Sequence, residues 1–565
     1  MSKSRIGIHY SGMHLNKIQK LSTKPYSKRL STFLFPVPCS LFPVPCSLLW
    51  DIKITMPEIE QSIAQHYHDR TKYHPETLAS KSRNLDWNKQ PVPFKEYKIG
   101  SDIDLKPYLQ ETAATVANQQ DTKWWWRLSQ LLFHSYGLTA KMPSLGNTVY
   151  LRSAPSAGGL YPAEVYLVSR GTPLLPPGLY NYQCRTHSLM HFWESDVWQS
   201  LQSACFWHPS LESTQLAMIT TAVFYRSAWR YEDRAYRRIF LDTGHLLSNI
   251  QLACNIADYR SHLIGGFADE AVNELLYIDH EQEGTTAVLA LADLLDVRQN
   301  LPLGRTALPS TTATNYPSIP DGELLKYFHI NTQIPVNNSS KLNLPNVELE
   351  KSLEDKYNFP FCEKFSTRTT PIYWGEDLAD LSNTIYKRRS TRAYTGDDLS
   401  FDELKALLDF TYQPQNYIDQ NLDPHPDYFD LNLIETFVAV SGVQGLDPGC
   451  YYYAPKAQEL RQIRFKNFRR ELHFLCLGQE LGRDAGAVLF HTADLKNAIA
   501  QYGDRVYRYL HLDAGILGQR LNLAAIRLNL GVSGIAGFFD DQVNNVLGIP
   551  MDEAVIYITT LGKPR

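Results

Sequence analysis

The sequence predicts an α+β domain built twice in one chain, with the copies packed about a pseudo-twofold axis as the subunits of a homodimer are. Three observations lead there. The first is an internal repeat. Pro177-Gly178-Leu179-Tyr180-Asn181-Tyr182 matches Pro448-Gly449-Cys450-Tyr451-Tyr452-Tyr453 at an offset of 271 (448 − 177). Tyr236-Arg237, Leu241-Asp242 with Gly244, Gly266-Phe267 and Asn273 match Tyr507-Arg508, Leu512-Asp513 with Gly515, Gly537-Phe538 and Asn544 in the same register. A register kept over so long a stretch marks a duplicated domain. The second is a helix in both copies. Leu510, Ala514, Leu517, Leu521, Ala524 and Leu528 step by four and three, and Leu246, Ile250, Ala253 and Ala257 form the same stripe. Gly531 is read as the C′ residue that ends the helix of the second copy. The third is a strand-like run in each copy, Val165–Val168 and Phe437–Val440.

Along the chain, residues 1–33 carry Lys3, Arg5, Lys17, Lys20, Lys24, Lys28 and Arg29 and no acid. The heptapeptide LFPVPCS then occurs twice, at Leu34–Ser40 and Leu41–Ser47. A basic stretch before an apolar one resembles a targeting signal. Four prolines argue against a helical signal core. Residues 1–55 are expected to be a poorly ordered extension without chemistry, the working protein starting near Met56. A lead-in over 56–94 precedes copy one, 95–305. Residues 306–374, rich in Pro, Ser, Thr and Asn, read as a linker wrapping the surface, and copy two spans 375–565.

Bulk properties exclude several functions. The 565 residues are 44% hydrophobic and 20% charged, with a formal net charge of −4. That is ordinary globular composition with no global pull toward nucleic acid. There is no apolar run of about 18 residues for a membrane span. The eight cysteines show no C-x-x-C and no Cys/His spacing that suits zinc. They read as free thiols in a reducing compartment, the cytoplasm, and no metal site is expected.

Two motifs carry chemistry. Arg388-Arg389-Ser390-Thr391-Arg392 gathers guanidinium and hydroxyl groups that suit a phosphate, or else forms a solvated basic turn. Ser400-Phe401-Asp402-Glu403 follows as a capping box that starts a helix. In the first copy, Arg152-Ser153-Ala154-Pro155-Ser156-Ala157-Gly158-Gly159-Leu160-Tyr161-Pro162 has the small residues that let backbone approach a flat ligand, or else is an ordinary tight loop. It is neither a Walker loop nor G-x-G-x-x-G.

Arg-x-Ser-x-Arg near a domain start resembles the FMN-phosphate motif of the nitroreductase family. Pro155–Pro162 followed by Glu164-Val165-Tyr166, Gln501-Tyr502-Gly503-Asp504-Arg505 with Tyr507-Arg508-Tyr509, and Gly537-Phe538 with Asp540 resemble the SagB-type dehydrogenases of that family, which oxidise azoline rings in peptide natural products. The resemblance covers nearly all of 56–565. It implies tandem nitroreductase-like domains forming an intrachain pseudo-dimer, a monomer with FMN at the interface of its halves. Arg388, Ser390 and Arg392 would hold the phosphate. Pro155, Ser156, Ala157 and Gly158 would line the ring from the other half, and Ala536 and Gly537 would meet it near N5. Lys563 and Arg565 could add phosphate contacts.

A second site should be degraded. At the same offset the Pro-Ser-Ala-Gly loop becomes Pro426-Asp427-Tyr428-Phe429-Asp430, acidic and bulky, and 112–121 contains no arginine. Each half keeps the complementary part of one site, so one FMN per chain is expected. The resemblance also looks to a Lys-Tyr pair as the catalytic base. Here the pairs are Gln501-Tyr502 and Arg230-Tyr231, and neither Gln nor Arg can take a proton. Tyr502 and Tyr231 are the catalytic candidates, as proton donors, or as acceptors if a pKa fell far below about 10; both also read as packing tyrosines. Trp124-Trp125-Trp126 is an aromatic wall or, alternatively, helix packing. The expected activity is that of an FMN-dependent oxidoreductase acting on a small molecule or a modified, azoline-type peptide. The alternatives are an NAD(P)H-dependent nitro- or quinone reductase, and a flavin-binding partner protein without turnover.

Overall fold

The computed structural model describes residues 61–80, 85–110, 119–144, 147–295, 306–336 and 354–565. The expectations for 1–55 and for the arginine-free stretch at 112–118 lie outside the described residues.

Each copy forms one seven-stranded antiparallel sheet. In the first the strands are β1 (Ser101–Asp104), β2 (Ala163–Ser169), β3 (Gly178–Gln183), β4 (Ser188–Trp193), β5 (Leu216–Val223), β6 (Tyr259–Ile264) and β7 (Glu283–Asp293), ordered β1-β4-β3-β2-β5-β7-β6. In the second they are β8 (Lys364–Ser366), β9 (Glu435–Val440), β10 (Gly449–Ala454), β11 (Glu459–Arg464), β12 (Ala487–Asp494), β13 (Gly531–Ile535) and β14 (Glu553–Gly562), ordered β8-β11-β10-β9-β12-β14-β13. The orders are the same, and so are the irregularities. Register shifts at Leu179/Tyr180 and Thr220/Thr221 return at Cys450/Tyr451 and His491/Thr492. Bulges are set by local backbone demands, so their repetition shows the offset of 271 reaching down to single residues.

The helices that matter for the site are α1 (Ile63–Arg70), α2 (Gln120–Tyr136), α3 (Phe224–Tyr231), α4 (Ala235–Ile256), α5 (Leu324–Asn331), α6 (Ala379–Lys387), α7 (Phe401–Tyr412), α8 (Leu495–Tyr502) and α9 (Val506–Arg527). The long pair, α4 and α9, cross at the pseudo-twofold axis. A Cβ on Gly244 would collide with the Leu512 carbonyl, and one on Gly515 with the Leu241 carbonyl. Only glycine permits this backbone contact. Around it His245 bridges Gln519 and the Tyr557 hydroxyl, both at 2.9 Å. Burial holds its imidazole down to about 4, hence neutral at physiological pH.

The end of α9 differs from expectation. Asn529, with φ +59°, is the left-handed residue, and Asn529 N and Leu530 N bond to the Ile526 and Ala525 carbonyls at 3.0 and 2.8 Å. This is a Schellman ending. Gly531 instead starts β13, where a Cβ would press on Tyr394 and Thr391. The capping box at Ser400 forms as read, with Ser400 N to Glu403 at 2.7 Å and Glu403 N to Ser400 Oγ at 3.1 Å.

The duplication extends beyond the offset-271 repeat. Residues 306–336, expected on the surface, enter the core, where Leu324 and Phe328 are buried. Helix α5 there is the counterpart of α1 in the lead-in, at an offset of 261 (329 − 68). Tyr67 stacks on Phe328 with centroids 4.4 Å apart. Arg237 bonds Thr71 Oγ1 (3.0 Å) and the His68 carbonyl (2.6 Å), and Arg508 bonds Thr332 Oγ1 (2.8 Å) and the His329 carbonyl (3.0 Å). Each α4 or α9 also grips an aspartate of the other half. Arg234 and Arg237 pair with Asp540 at 2.9 and 2.7 Å, and Arg505 and Arg508 pair with Asp269 at 2.5 and 2.6 Å.

Candidate active site

The axis creates two equivalent crevices, each between a loop of one half and the end of the last-numbered sheet hairpin of the other. In the first, residues 155–159 carry two left-handed glycines, Gly158 (φ +68°) and Gly159 (φ +66°). Asp242 on α4 holds this loop. It accepts from Ser156 Oγ at 2.6 Å and from Ala157 N at 3.0 Å. Ser156 Oγ in turn accepts from Tyr161 N at 2.9 Å. Burial pushes the Asp242 carboxyl up to about 7, against the pull of these hydrogen bonds and of Arg238. Ser156 and the Ala157 amide are thus committed to the loop itself. Gly158 faces the end of α3, where a Cβ would stand 2.8 Å from the Tyr231 hydroxyl and 3.5 Å from Arg230 Nη1.

The second half supplies the rest. Arg388 reaches across to the carbonyls of Ser153 (2.6 Å) and Arg152 (3.1 Å), and Arg389 to Thr139 (3.1 Å). Two of the three clustered arginines therefore tie the halves together. What remains is Arg388 Nη1, buried without a hydrogen-bond partner, and Arg392, which bonds only carbonyls of its own turn. Burial lowers the Arg388 guanidinium to about 10, and Arg389 and Arg392 add to this, although Tyr161 opposes them. Ser390 is half-buried with its hydroxyl unbonded among the described residues. Thr391 pairs with Val532 in β13 (Thr391 N to O 2.9 Å, Val532 N to Oγ1 3.0 Å). Strand β13 then runs on to Ala536 and Gly537, about 17 Å farther at 3.3–3.4 Å per residue. Lys563 is taken by Glu403 at 2.5 Å, and Arg565 N bonds the Ala393 carbonyl at 3.1 Å.

Gly537 meets residues that sequence reading passed over. A Cβ there would stand 3.2 Å from Leu477 Cδ1, 3.6 Å from Arg238 Nη2 and 3.9 Å from Tyr73 Cε2. Tyr73, from the lead-in, is anchored by its amide to Asp540 at 3.0 Å and by a bridge to Phe539. Burial would raise its hydroxyl, but Arg238 and Arg234 outweigh that and lower it. Arg238 lies 3.9 Å above the Tyr231 ring. Pro155–Gly158, Tyr231, Ala536–Gly537 and the 388–392 turn are thus assembled around one crevice.

The mirror crevice has the same frame with its space filled. Asp513 holds the 427–430 loop through Phe429 N (3.0 Å) and Asp430 N (2.9 Å), and burial pushes it too up to about 7. Phe429 occupies the position of Gly158, and Tyr509 that of Arg238. Their rings stack, with centroids 4.9 Å apart and planes 15° apart. Phe429 fills the place of a Gly265 side chain, and Leu308 that of a Gly266 side chain. The Thr306 carbonyl takes both glycine amides, at 2.7 and 3.1 Å. Tyr502 lies here and donates to Asp430 at 3.0 Å, so it is not brought together with the other candidates. The tryptophans lie on α2, where Trp124 meets Trp125 edge-on and Trp125 stacks on Tyr108, outside both crevices.

Among the described residues, no group of His, Cys, Asp and Glu could hold a metal, six cysteines are free, and no helix is long and apolar enough to cross a membrane.

The signature of the nitroreductase family matches residues 128–292 and 385–563. A crystal structure of an Anabaena variabilis protein, named provisionally as a nitroreductase, is 78% identical, with a TM-score of 0.84 over 89% of this chain and 100% of that one. A Methanocaldococcus jannaschii protein with a similar provisional name is 29% identical over 169 residues, 30% of this chain and 84% of that protein. The trifolitoxin-processing protein TfxF of Rhizobium leguminosarum bv. trifolii is 25% identical over 156 residues, 27% of this chain and 52% of that protein.

Proposed function

The chain belongs to the nitroreductase family, and from that premise we propose that it is a flavin-dependent oxidoreductase holding one FMN in the crevice at Gly158 and Gly537. The observation that carries this is the asymmetry of two otherwise equal crevices. Where the mirror has the Phe429–Tyr509 stack, this one has Gly158 and Arg238. The donor set fits the group. Arg388 Nη1 is a buried donor without a partner, and with Ser390 and Arg392 it offers the forked contacts that phosphate oxygens accept.

Bound FMN supplies the two-electron redox chemistry. The chain's part is positional. Asp242 fixes the loop whose glycine admits a flat ring. Ala536 and Gly537 shape its other edge, and Tyr231 presents its hydroxyl beside Gly158 as the group that hands a proton to the substrate. Arg230 stands where a ring-proton base would be needed and cannot take a proton. That favours a reductase drawing on NAD(P)H over an azoline oxidase, although the stretch similar to TfxF keeps a modified peptide as the rival substrate.

Denatured purified protein is expected to release one FMN per chain. Two equivalents would overturn the single-site reading, and none after incubation with FMN would overturn the cofactor. Anaerobic bleaching by NAD(P)H supports the reductase; a flavin indifferent to NAD(P)H supports the dehydrogenase.

A further inference from the structure

The crevice holds two guanidinium groups outside the phosphate grip that have no carboxylate partner among the described residues. Arg230 is half-buried, with Nη1 3.5 Å and Cδ 3.6 Å from where a Gly158 Cβ would stand. It makes no hydrogen bond and no ion pair among the described residues. Arg238 is only 5% exposed. Its hydrogen bonds go to the Arg234 carbonyl, at 3.4 Å, and to Tyr73. It too has no ion pair among the described residues; Asp242, whose carboxyl it influences, gives its oxygens to Ser156 and Ala157.

Burying a cation without a counter-ion is unfavourable by several kcal/mol, and five buried arginines avoid it, whereas Arg152 and Arg388 share with Arg238 the lack of a carboxylate partner among the described residues. Arg234 and Arg237 have Asp540, Arg226 has Glu164 at 2.6 Å, and Arg505 and Arg508 have Asp269. The offset adds a second argument. The counterparts of Arg230 and Arg238 in the filled crevice are Gln501 and Tyr509, both uncharged. The two cations occur only where space is left open. Both lie against one ring, with guanidinium carbons 5.6 and 3.9 Å from the Tyr231 centroid.

Resting on the reading of this crevice as the redox site, we infer that Arg230 and Arg238 bind the carboxylate of an anionic substrate beside Tyr231. Two forked donors beside one ring match two carboxylate oxygens. The carboxylate could belong to an aromatic acid or to a peptide C-terminus; the recognition is the same.

Calorimetric titration of the full FMN-incubated chain with benzoate, benzamide and phenyl phosphate tests this, because heat is read whether or not flavin is bound. Benzoate is expected to bind at least about tenfold more tightly than benzamide, the scale of a lost hydrogen bond to a charged group. Arg230→Gln should remove that preference with FMN content unchanged, and Arg230→Lys should keep much of it. Arg238→Gln, checked for folding by its melting curve, should act in the same direction. Equal binding of benzoate and benzamide overturns the inference. So does tighter binding of phenyl phosphate, or loss of flavin from Arg230→Gln, which would make the arginine a flavin ligand. FMN absent from every sample, wild type included, would instead sink the cofactor reading and leave the benzoate comparison standing.

Discussion

The two crevices share strands, bulges, a helix aspartate and an arginine–aspartate grip, and they differ at a handful of side chains. Asp242 holds its loop through the Ser156 hydroxyl and the Ala157 amide, Asp513 holds its own through the amides of Phe429 and Asp430, and both are pushed up to about 7. Yet Gly158 faces the Tyr231 hydroxyl and Arg230, whereas its counterpart Phe429 stacks on Tyr509. The difference teaches how a duplicated domain can divide its labour. The frame is needed twice because each half is folded against the other through α4 and α9. On the proposed reading a binding site is needed once, and the spare one serves as core.

The largest effects should come from exchanging the filled and open states. Gly158→Leu places a branched side chain against Tyr231 at a φ of +68° that L residues rarely adopt. It should abolish FMN binding, read as flavin absorbance after gel filtration, while the melting transition survives. Full flavin content in this variant would break the comparison. Phe429→Ala is the reciprocal test. It opens a cavity in a ring stack that is 4% exposed, so it should lower unfolding free energy by about 3–5 kcal/mol, read by denaturant titration. FMN should stay at one per chain.

Much of this was legible in the sequence, because the offset of 271 identifies Phe429 with Gly158 and Asp513 with Asp242. The frame and the bulky mirror loop follow from that alignment, and the capping box follows from its own Ser-x-x-Glu pattern. Other parts were not legible. The lead-in and the 306–336 segment are also a repeat, but His68 with Thr71 and His329 with Thr332 match at 261 rather than 271, in helices otherwise unlike. A search at one fixed offset passes over them, and with them Tyr73. The arginine cluster promised three phosphate donors, but composition does not reveal that Arg388 and Arg389 reach backbone of the other half. Tyr502 looked equal to Tyr231 because the halves are equivalent in sequence there; only the packing of Asp430 and Phe429 separates them.

A smaller effect is expected at the phosphate end. Arg392 is exposed and bonds only to the carbonyls of Ser390 and Thr391, so its removal leaves no buried partner stranded. Arg392→Ala should weaken FMN by about 1.5–3 kcal/mol, the range for a hydrogen bond to a charged group. Equilibrium dialysis would read this as tenfold or more, with the unfolding midpoint unmoved. Unchanged affinity would shift the phosphate to Arg388 and Ser390 alone.

The finest test uses the one device the crevices share. Burial raises both Asp242 and Asp513 from an ordinary carboxylate value to about 7. The folded chain therefore binds these protons more tightly than the unfolded chain. The stability they contribute is fully present below about pH 4 and is lost as pH rises through about 7. Asp242→Asn and Asp513→Asn should each flatten unfolding free energy across that window, and to a similar degree, because burial pushes both carboxyls up to about 7. Their effects on flavin should not match. An amide at 242 accepts through one oxygen only; at the Oδ2 position it still meets both Ser156 Oγ and Ala157 N, but as a neutral acceptor that holds the loop less strongly than a carboxylate. A single neutral hydrogen bond is worth about 0.5–1.5 kcal/mol, which predicts a few-fold loss of FMN affinity at neutral pH. At 513 the same loss falls on Phe429 and Asp430, and flavin titration should show no change. If Asp513→Asn weakens FMN as much as Asp242→Asn does, the loops communicate across the α4–α9 crossing, and the filled crevice is part of the site rather than its discarded twin.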